Sequence, residues 1–176
     1  MKKSIIALVG AIAAPLAIAG TPVSAPVAPA PEPSLFNAGW VASPFAAFLT
    51  PDSEAIDDVW GGGVSAEYYF NSYVSLGGQG IWLDVDGDLG QSYALISTLR
   101  YPITTHIAPY IQGAFGWQDL GENSDIFGSA SAGVQYRVNE TWGIFADWTY
   151  AFPGGGGGED DFEDYQLIRG GFTISF

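Results

Sequence analysis

Eight segments of this chain alternate apolar side chains with small or polar ones, and each segment is 11 to 13 residues long. Successive side chains of a β-strand point to opposite faces, so this alternation predicts strands. Segments of this length allow a tilted strand to cross the hydrocarbon core of a bilayer. The predicted strands are 37–49, 59–70, 73–83, 91–101, 107–117, 126–138, 142–152 and 165–176.

The connections between these segments alternate in length. Three are short, at 71–72, 102–106 and 139–141, whereas four are longer and acidic, at 50–58, 84–90, 118–125 and 153–164. Fifteen of the 19 Asp and Glu residues lie in the four longer connections. Short turns on one side and long loops on the other are typical of outer-membrane barrels, and an even number of strands lets the two edges of the sheet pair.

The two faces of the predicted strands differ in charge. All charged residues within the segments fall on the small, polar face, and these are Glu67, Arg100, Arg137, Asp147 and Arg169. A soluble barrel would place large apolar residues inside and charges outside. In a membrane barrel, an Arg on the lipid face at mid-depth costs about 2–4 kcal/mol, so the charged face is expected to point inward. The sequence therefore predicts an all-β fold, an eight-stranded antiparallel transmembrane β-barrel with up-and-down meander connectivity.

Two features do not fit this pattern cleanly. Ile81, Ile96 and Phe145 fall on the otherwise polar face. In the first segment, 37–49, both parities look equally apolar and Pro44 interrupts the run, so its inward face stays open.

The amino-terminal part of the chain predicts a signal peptide over residues 1–19. Lys2 and Lys3 precede an apolar stretch, and the small residues Ala17 and Ala19 provide a cleavage site. The alternative, a membrane anchor, is disfavoured because the apolar run is short and contains Pro15. Residues 20–35 form a Pro/Ala-rich leader, and 36–176 form the barrel domain.

An eight-stranded barrel is only wide enough for its interior to fill with side chains. Charges placed there require partners, because an unpaired buried ion costs several kcal/mol. The inward polar residues predict a network inside the lumen: Glu67, Gln79, Arg100, Gln112, Gln135, Arg137, Asp147 and Arg169. A network that fills and stabilises the barrel is the first interpretation, and a narrow or gated conduit is the second.

The last eleven residues, 166–176, resemble the carboxy-terminal strand by which bacterial outer-membrane barrels are recognised for assembly. Apolar residues alternate along this strand, and the final residue is aromatic. The residues that carry the resemblance are Ile168, Phe172, Ile174 and Phe176. The resemblance implies the barrel assembly machinery as a partner.

The charge of the chain limits its partners and its chemistry. A net charge of −14 disfavours nucleic acid and favours divalent cations at the acidic loops, which could bridge to lipopolysaccharide. Asp84, Asp86 and Asp88 resemble the first half of a calcium loop but lack the distal Glu, so they are calcium candidates and a solvated loop is the alternative. No cofactor is expected. The chain has a single His, His106, in a predicted turn, so a Ser–His hydrolase or a zinc enzyme is not expected.

Three stretches in the second half of the chain, 108–117, 132–138 and 142–150, resemble the OmpA-type outer-membrane β-barrel domain of small porin-like proteins. They carry a Pro-Tyr strand with glycines, an Ala-Gly-x-x-Tyr-Arg stretch, and a strand that combines an acid with aromatics. The resemblance implies a protein of the cell outer membrane, with lipid and lipopolysaccharide around it. The function predicted is a structural or surface-interaction role, and the alternative is a narrow cation-attracting pore or small-solute channel.

Overall fold

A computed structural model describes residues 34–51, 59–85, 88–119, 124–154 and 164–176. The predicted signal peptide and nearly all of the predicted leader lie outside these residues. The described residues form eight strands: β1 (Gly39–Pro51), β2 (Val59–Tyr69), β3 (Val74–Val85), β4 (Asp88–Arg100), β5 (Ile107–Asp119), β6 (Ser124–Arg137), β7 (Trp142–Pro153) and β8 (Tyr165–Ser175). None of the described residues belongs to a helix long and apolar enough to cross a membrane.

The eight strands form one closed barrel in which every strand pairs with its sequence neighbours in antiparallel orientation. The barrel closes between β1 and β8, where the pairing runs from Val41↔Ser175 to Pro51↔Tyr165. This arrangement confirms the predicted fold, an eight-stranded up-and-down barrel. We call the end with the connections 70–73, 101–106 and 138–141 the turn end, and the opposite end the loop end.

Strand boundaries at the loop end differ from the prediction. The 84–90 connection was expected to be a loop, yet β3 continues to Val85 and β4 begins at Asp88, with these two residues paired. β6 likewise begins at Ser124 rather than at residue 126. Backbone pairing continues past the alternating region because a strand that has left the apolar environment can carry polar residues on both faces.

The turn end is held by side chains that bond to the backbone of their own turn. Asn71 Oδ1 accepts hydrogen bonds from the amides of Tyr73 (2.7 Å) and Val74 (2.9 Å). Asn139 Oδ1 accepts from the amides of Thr141 (2.9 Å) and Trp142 (2.7 Å). Asn side chains favour tight turns because they replace backbone partners in this way. The sequence therefore specifies short connections at this end.

The structure determines the inward face of β1, which the sequence leaves open. Val41 is buried (4 % exposed), whereas Trp40 is 55 % exposed, so the odd-numbered residues of β1 point inward. Pro44 does not end the strand. Pairing with β8 runs through Ala42↔Ile174 and resumes at Phe45↔Gly171, and Pro44 has no amide hydrogen to contribute between them.

The exterior of the barrel carries large apolar side chains along its length. Leu95, near the middle of β4, is 69 % exposed, and Ile111 and Phe115 of the neighbouring strand β5 are also exposed. Trp60, Trp82 and Trp117 are exposed near the loop end. A water-exposed surface rarely carries so much contiguous apolar area, whereas a lipid-facing barrel requires it and places aromatic residues at the interfaces.

Candidate functional site: the filled lumen

The interior of the barrel has a charged centre formed by Arg169 of β8 and Asp147 of β7, which are directly paired across the two strands. Arg169 Nε donates to Asp147 Oδ1 at 2.8 Å, and Nη2 donates to Oδ2 at 2.9 Å. Both side chains are almost fully buried. Charge-assisted hydrogen bonds of this kind are roughly twice as strong as those between neutral groups, and the paired geometry fixes the orientation of both side chains.

Two predicted glutamines also accept hydrogen bonds from Arg169. Arg169 Nη1 donates to Gln79 Oε1 at 2.7 Å, and Nη2 donates to Gln112 Oε1 at 2.9 Å. Tyr110, which was not predicted as a network residue, donates its hydroxyl to Asp147 Oδ2 at 2.5 Å. The guanidinium thus spans the lumen between β7, β3 and β5 and fills its centre.

Glu67 reaches this centre through neutral residues. Its Oε2 accepts hydrogen bonds from Ser75 Oγ (2.5 Å) and Thr98 Oγ1 (2.6 Å). Thr98 Oγ1 in turn accepts from Gln112 Nε2 at 2.9 Å. Glu67 is therefore solvated by hydroxyl groups, and among the described residues the only ion pair is Arg169–Asp147.

The other two arginines lie toward the turn end. Arg100 donates from Nε to the Ser72 carbonyl (2.8 Å), from Nη2 to the Asn37 carbonyl (3.0 Å) and from Nη1 to Gln135 Oε1 (3.3 Å). Its guanidinium carbon lies 3.6 Å from the centroid of the Tyr69 ring. All these hydrogen-bond partners are neutral, and one of them, Gln135, lines the cavity that Arg169 also lines.

Arg137, the third buried arginine, makes few polar contacts. Its Nη1 donates to Ser175 Oγ. Phe36, which is completely buried, places its ring 5.8 Å from the Arg137 guanidinium carbon and 5.0 Å from that of Arg100. Phe36 was predicted only as the first residue of the barrel domain. The sequence does not predict its insertion into the lumen, because Phe36 lies before the first segment of alternating residues.

The loop end of the lumen is mainly apolar and lies beyond the predicted polar network. A buried cluster of inward residues fills it: Phe45, Ala47, Leu49, Val59, Ile81, Leu83, Ala94, Phe127, Ala151, Tyr165 and Leu167. Ile81, the apolar exception on the polar face of β3, belongs to this cluster. Apolar residues on the otherwise polar face were the only sign of this cluster in the sequence. They mark positions where the interior itself requires apolar side chains.

Little space remains inside the barrel. One cavity of about 30 Å³ lies beside Glu67, Asp147 and Arg169, and another of about 10 Å³ lies in the apolar layer beside Ile81 and Leu167. A buried water requires about 10–15 Å³ measured in this way, so the first cavity has room for about two water molecules and the second for one at most. Arg169 and Gln79 line both cavities and separate them.

The calcium candidates fall at the hairpin between β3 and β4. Asp84 is exposed at the end of β3, Asp86 lies outside the described residues, and Asp88 begins β4. In the part of the chain that the structure describes, no three His, Cys, Asp or Glu side chains come together to hold a metal ion. The metal prediction therefore stays a prediction.

The residues of the predicted assembly signal lie on the outer face of β8 and just beyond it. Ile168, Phe172 and Phe176 are exposed, and Ile174 is half-buried between Trp142 and Ala42. The Phe176 amide donates to the Trp40 carbonyl at 3.0 Å. Gly39 has φ +135°, and a Cβ there would lie 2.9 Å from the Phe176 carbonyl oxygen, so a glycine is required where the barrel closes.

Comparison of the fold with solved structures finds bacterial outer-membrane barrels. Neisserial surface protein A superposes with a TM-score of 0.65 at 15 % sequence identity, covering 78 % of this chain and 97 % of that one. The amino-terminal β-barrel domain of Pseudomonas aeruginosa OprF gives a TM-score of 0.59 at 15 % identity, covering 80 % and 99 %. The chain has the fold of the small outer-membrane β-barrels.

The likeness is one of fold. A de novo designed transmembrane β-barrel superposes with a TM-score of 0.57 at 15 % identity, covering 79 % of this chain and 97 % of the design. No model of a protein family matches the sequence, and no curated protein matches it. Function therefore has to be argued from the lumen and the surface of this barrel.

Proposed function

We propose that this protein is an integral barrel of the bacterial outer membrane whose lumen is closed, with a structural or surface-interaction role. The observation that carries the proposal is the filled interior. Arg169 spans the centre of the lumen, a mainly apolar layer occupies the loop end, and the two cavities beside them measure only about 30 and 10 Å³. A barrel of eight strands is narrow enough for side chains alone to close it.

The second candidate function is a narrow cation-attracting pore. The clustering of Asp and Glu in the longer connections favours it, because acidic residues at a mouth concentrate cations. Three features oppose it. The centre of the lumen carries Arg169, the turn end carries Arg100 and Arg137, and a hydrated cation would have to cross the apolar layer.

Planar-bilayer recording on purified, refolded protein separates the two functions. The closed barrel is expected to give no steady conductance. A matched pair of variants sharpens the experiment: Arg169→Ala opens the centre of the lumen, whereas Leu167→Ala enlarges only the apolar layer. Steady cation-selective current through the unmodified protein, reduced when acidic loop residues are neutralised, would replace the closed-barrel proposal with the pore.

We also propose that the protein is not an enzyme. His106, the only His in the chain, is exposed in the turn between β4 and β5, and its Nδ1 lies 2.7 Å from the Arg137 carbonyl oxygen. A catalytic His needs a nucleophile or a substrate within hydrogen-bonding reach, and this ring instead stacks on Tyr136. The absence of hydrolysis on ester and phospholipid substrates by refolded protein would agree with the proposal.

The proposed partners follow from the surface. Lipid and lipopolysaccharide surround the apolar exterior, and the barrel assembly machinery acts on the carboxy-terminal strand. Divalent cations are candidates at the acidic connections, which lie mostly outside the described residues. Extraction of the protein with and without a chelator tests whether divalent cations bridge the protein to lipopolysaccharide. If they do, the chelator should weaken the association of the protein with lipopolysaccharide.

A further inference from the structure

The outer surface of the barrel carries a groove of about 820 Å³ that extends from β2 to β6. Its floor consists of small residues on the lipid-facing side of two paired strands. Ala66 of β2 lies opposite Gly78 of β3, and Val64 lies opposite Gly80. A Cβ on Gly78 would have one neighbour within 4 Å, the Ala94 carbonyl oxygen at 3.6 Å. The floor is therefore open at Gly78, and a side chain of another molecule or a lipid chain has room there.

Large apolar side chains line both sides of this groove. On the side toward the loop end, the Trp82 and Tyr93 rings pack edge to face with centroids 6.2 Å apart, and Tyr93 stacks on Trp117 at 6.4 Å. On the side toward the turn end stand Leu95 and Phe115, which are 69 % and 65 % exposed. Among the described residues, no charged side chain lines the groove. Its lining thus suits an apolar occupant.

The groove slopes from the middle of the bilayer to the interface at the loop end. Directly paired outward residues form one row across five strands: Val64, Gly80, Tyr93, Trp117 and Ile126. Val64 lies at the middle of β2, whereas Trp117 and Ile126 each lie two residues from the loop end of their strands. Because the strands of such a barrel are tilted, a row across them changes depth. The aromatic end of the groove therefore lies at headgroup level, where Trp and Tyr are favoured.

The shape of the groove distinguishes between its two conceivable occupants, an acyl chain and a second copy of the barrel. The wall of a second barrel is convex, so it would rest on the protruding side chains of Leu95 and Phe115 and leave the floor at Gly78 uncovered. A flexible acyl chain can follow the floor and contact both sides. Within lipid, association depends on van der Waals contact rather than on the hydrophobic effect, so this added contact holds one chain in place.

We propose that this groove binds one acyl chain of a lipopolysaccharide molecule, with Gly78 on its floor and the three aromatic rings at its headgroup end. The inference rests on the proposed function, because the longer connections of an outer-membrane barrel face outside, where lipopolysaccharide forms the leaflet. The Tyr93 hydroxyl donates to Gln91 Oε1 at 3.2 Å, so polar groups lie at the end where the chain joins its headgroup.

Native mass spectrometry tests the groove on refolded protein in detergent, titrated with purified lipopolysaccharide. A chelator in the buffer removes any cation bridge at the acidic connections. The unmodified protein should bind one lipopolysaccharide molecule. Gly78→Leu places a side chain on the floor and should lower the bound fraction severalfold. Gly113→Leu is the matched control and should bind normally, because Gly113 is also exposed on the outer face with nothing within 4 Å of its Cβ position, but does not line the groove.

A second variant protects the test against misfolding. Ala66→Leu fills the same floor from the paired position and should give the same loss, and a mobility shift on boiling shows that each variant is folded. Equal binding by the floor variants and Gly113→Leu, or no binding by the unmodified protein, would overturn the proposal. So would tighter binding of phosphatidylethanolamine, or a dimer that Gly78→Leu abolishes. Current through the lumen of a protein that binds lipopolysaccharide would instead contradict only the closed barrel.

Discussion

Arg169 and Asp147 lie opposite each other on adjacent strands and meet inside the barrel through two hydrogen bonds, of 2.8 and 2.9 Å. Neighbouring inward positions of antiparallel strands bring side chains within bonding distance, so the register of β7 and β8 alone fixes this pair. The two residues have opposite charges, share two hydrogen bonds and occupy directly paired positions on adjacent strands. Stability should therefore depend on both partners together.

We expect Arg169→Met to destabilise the folded barrel by about 3–5 kcal/mol, because it leaves the Asp147 carboxylate buried without its cation. The double variant Asp147→Leu with Arg169→Met should recover most of this loss, since an apolar pair of similar size has no uncompensated charge. Denaturant unfolding of protein refolded into lipid vesicles measures both. Equal loss in the single and double variants would show that the ion pair itself is the main source of stability.

Inward glycines beside Phe45 should not tolerate a larger side chain. A Cβ on Gly63 would lie 2.4 Å from the Gly80 carbonyl oxygen and 2.5 Å from Phe45 Cζ, so Gly63→Ala forces both the ring and the neighbouring backbone to move and should cost about 1–3 kcal/mol. Gly113→Ala is the matched control, because a Cβ there meets nothing within 4 Å, and its effect should stay within about 0.5 kcal/mol. Similar losses in both variants in the same unfolding assay would contradict the packing described.

Because the exterior of the barrel faces lipid, the free-energy cost of placing an Arg on it should depend on the depth of that position in the bilayer. Leu95 lies near the middle of β4, so Leu95→Arg should cost about 2–4 kcal/mol in a bilayer. Leu89 is about as exposed (70 %) but lies at the loop end of the same strand, where Arg should cost about 0–1 kcal/mol. Denaturant titrations of protein refolded into lipid vesicles compare the unfolding free energies of the two variants. Equal costs would mean that the two residues do not differ in their distance from the bilayer centre.

Deleting Phe176 should reduce assembly into the outer membrane. The residue is 81 % exposed and its amide bonds to β1, so it takes part in closing the barrel and presents its ring to lipid. Phe172→Leu, which keeps an apolar residue on the same face of β8, is the control and should assemble normally. The amount of protein in outer-membrane fractions is the readout, and normal insertion without Phe176 would refute the assembly interpretation.

Much of the fold could be read from the sequence, because alternation reports strand faces directly and charges mark the face away from lipid. Arg100, Arg137 and Arg169 identified the inward parity of three strands, and the structure places each of them inside. In β1 the two parities were equally apolar, so no charge could decide between them. The ends of β3 and β4 were missed because exposed pairing beyond the bilayer leaves no alternation to read.

The lumen was only partly predictable for a physical reason. Parity shows that Ile81 points inward, but it does not show which inward residues gather at one height of the barrel, since that depends on strand tilt and stagger. The separation of an apolar layer from the Arg169 centre therefore appears only in three dimensions. The contacts of Phe36 depend on the path of the chain before β1, which no periodic pattern describes.

The central claim is that this chain is an integral outer-membrane β-barrel, and electrophoresis with and without boiling tests it most directly on protein from salt-washed membranes. A folded barrel keeps its compact form in detergent until it is heated. We expect the unboiled protein to migrate differently from the boiled protein, and to remain in the membrane fraction after the salt wash. A single mobility under both conditions, together with release of the protein by salt, would contradict the account.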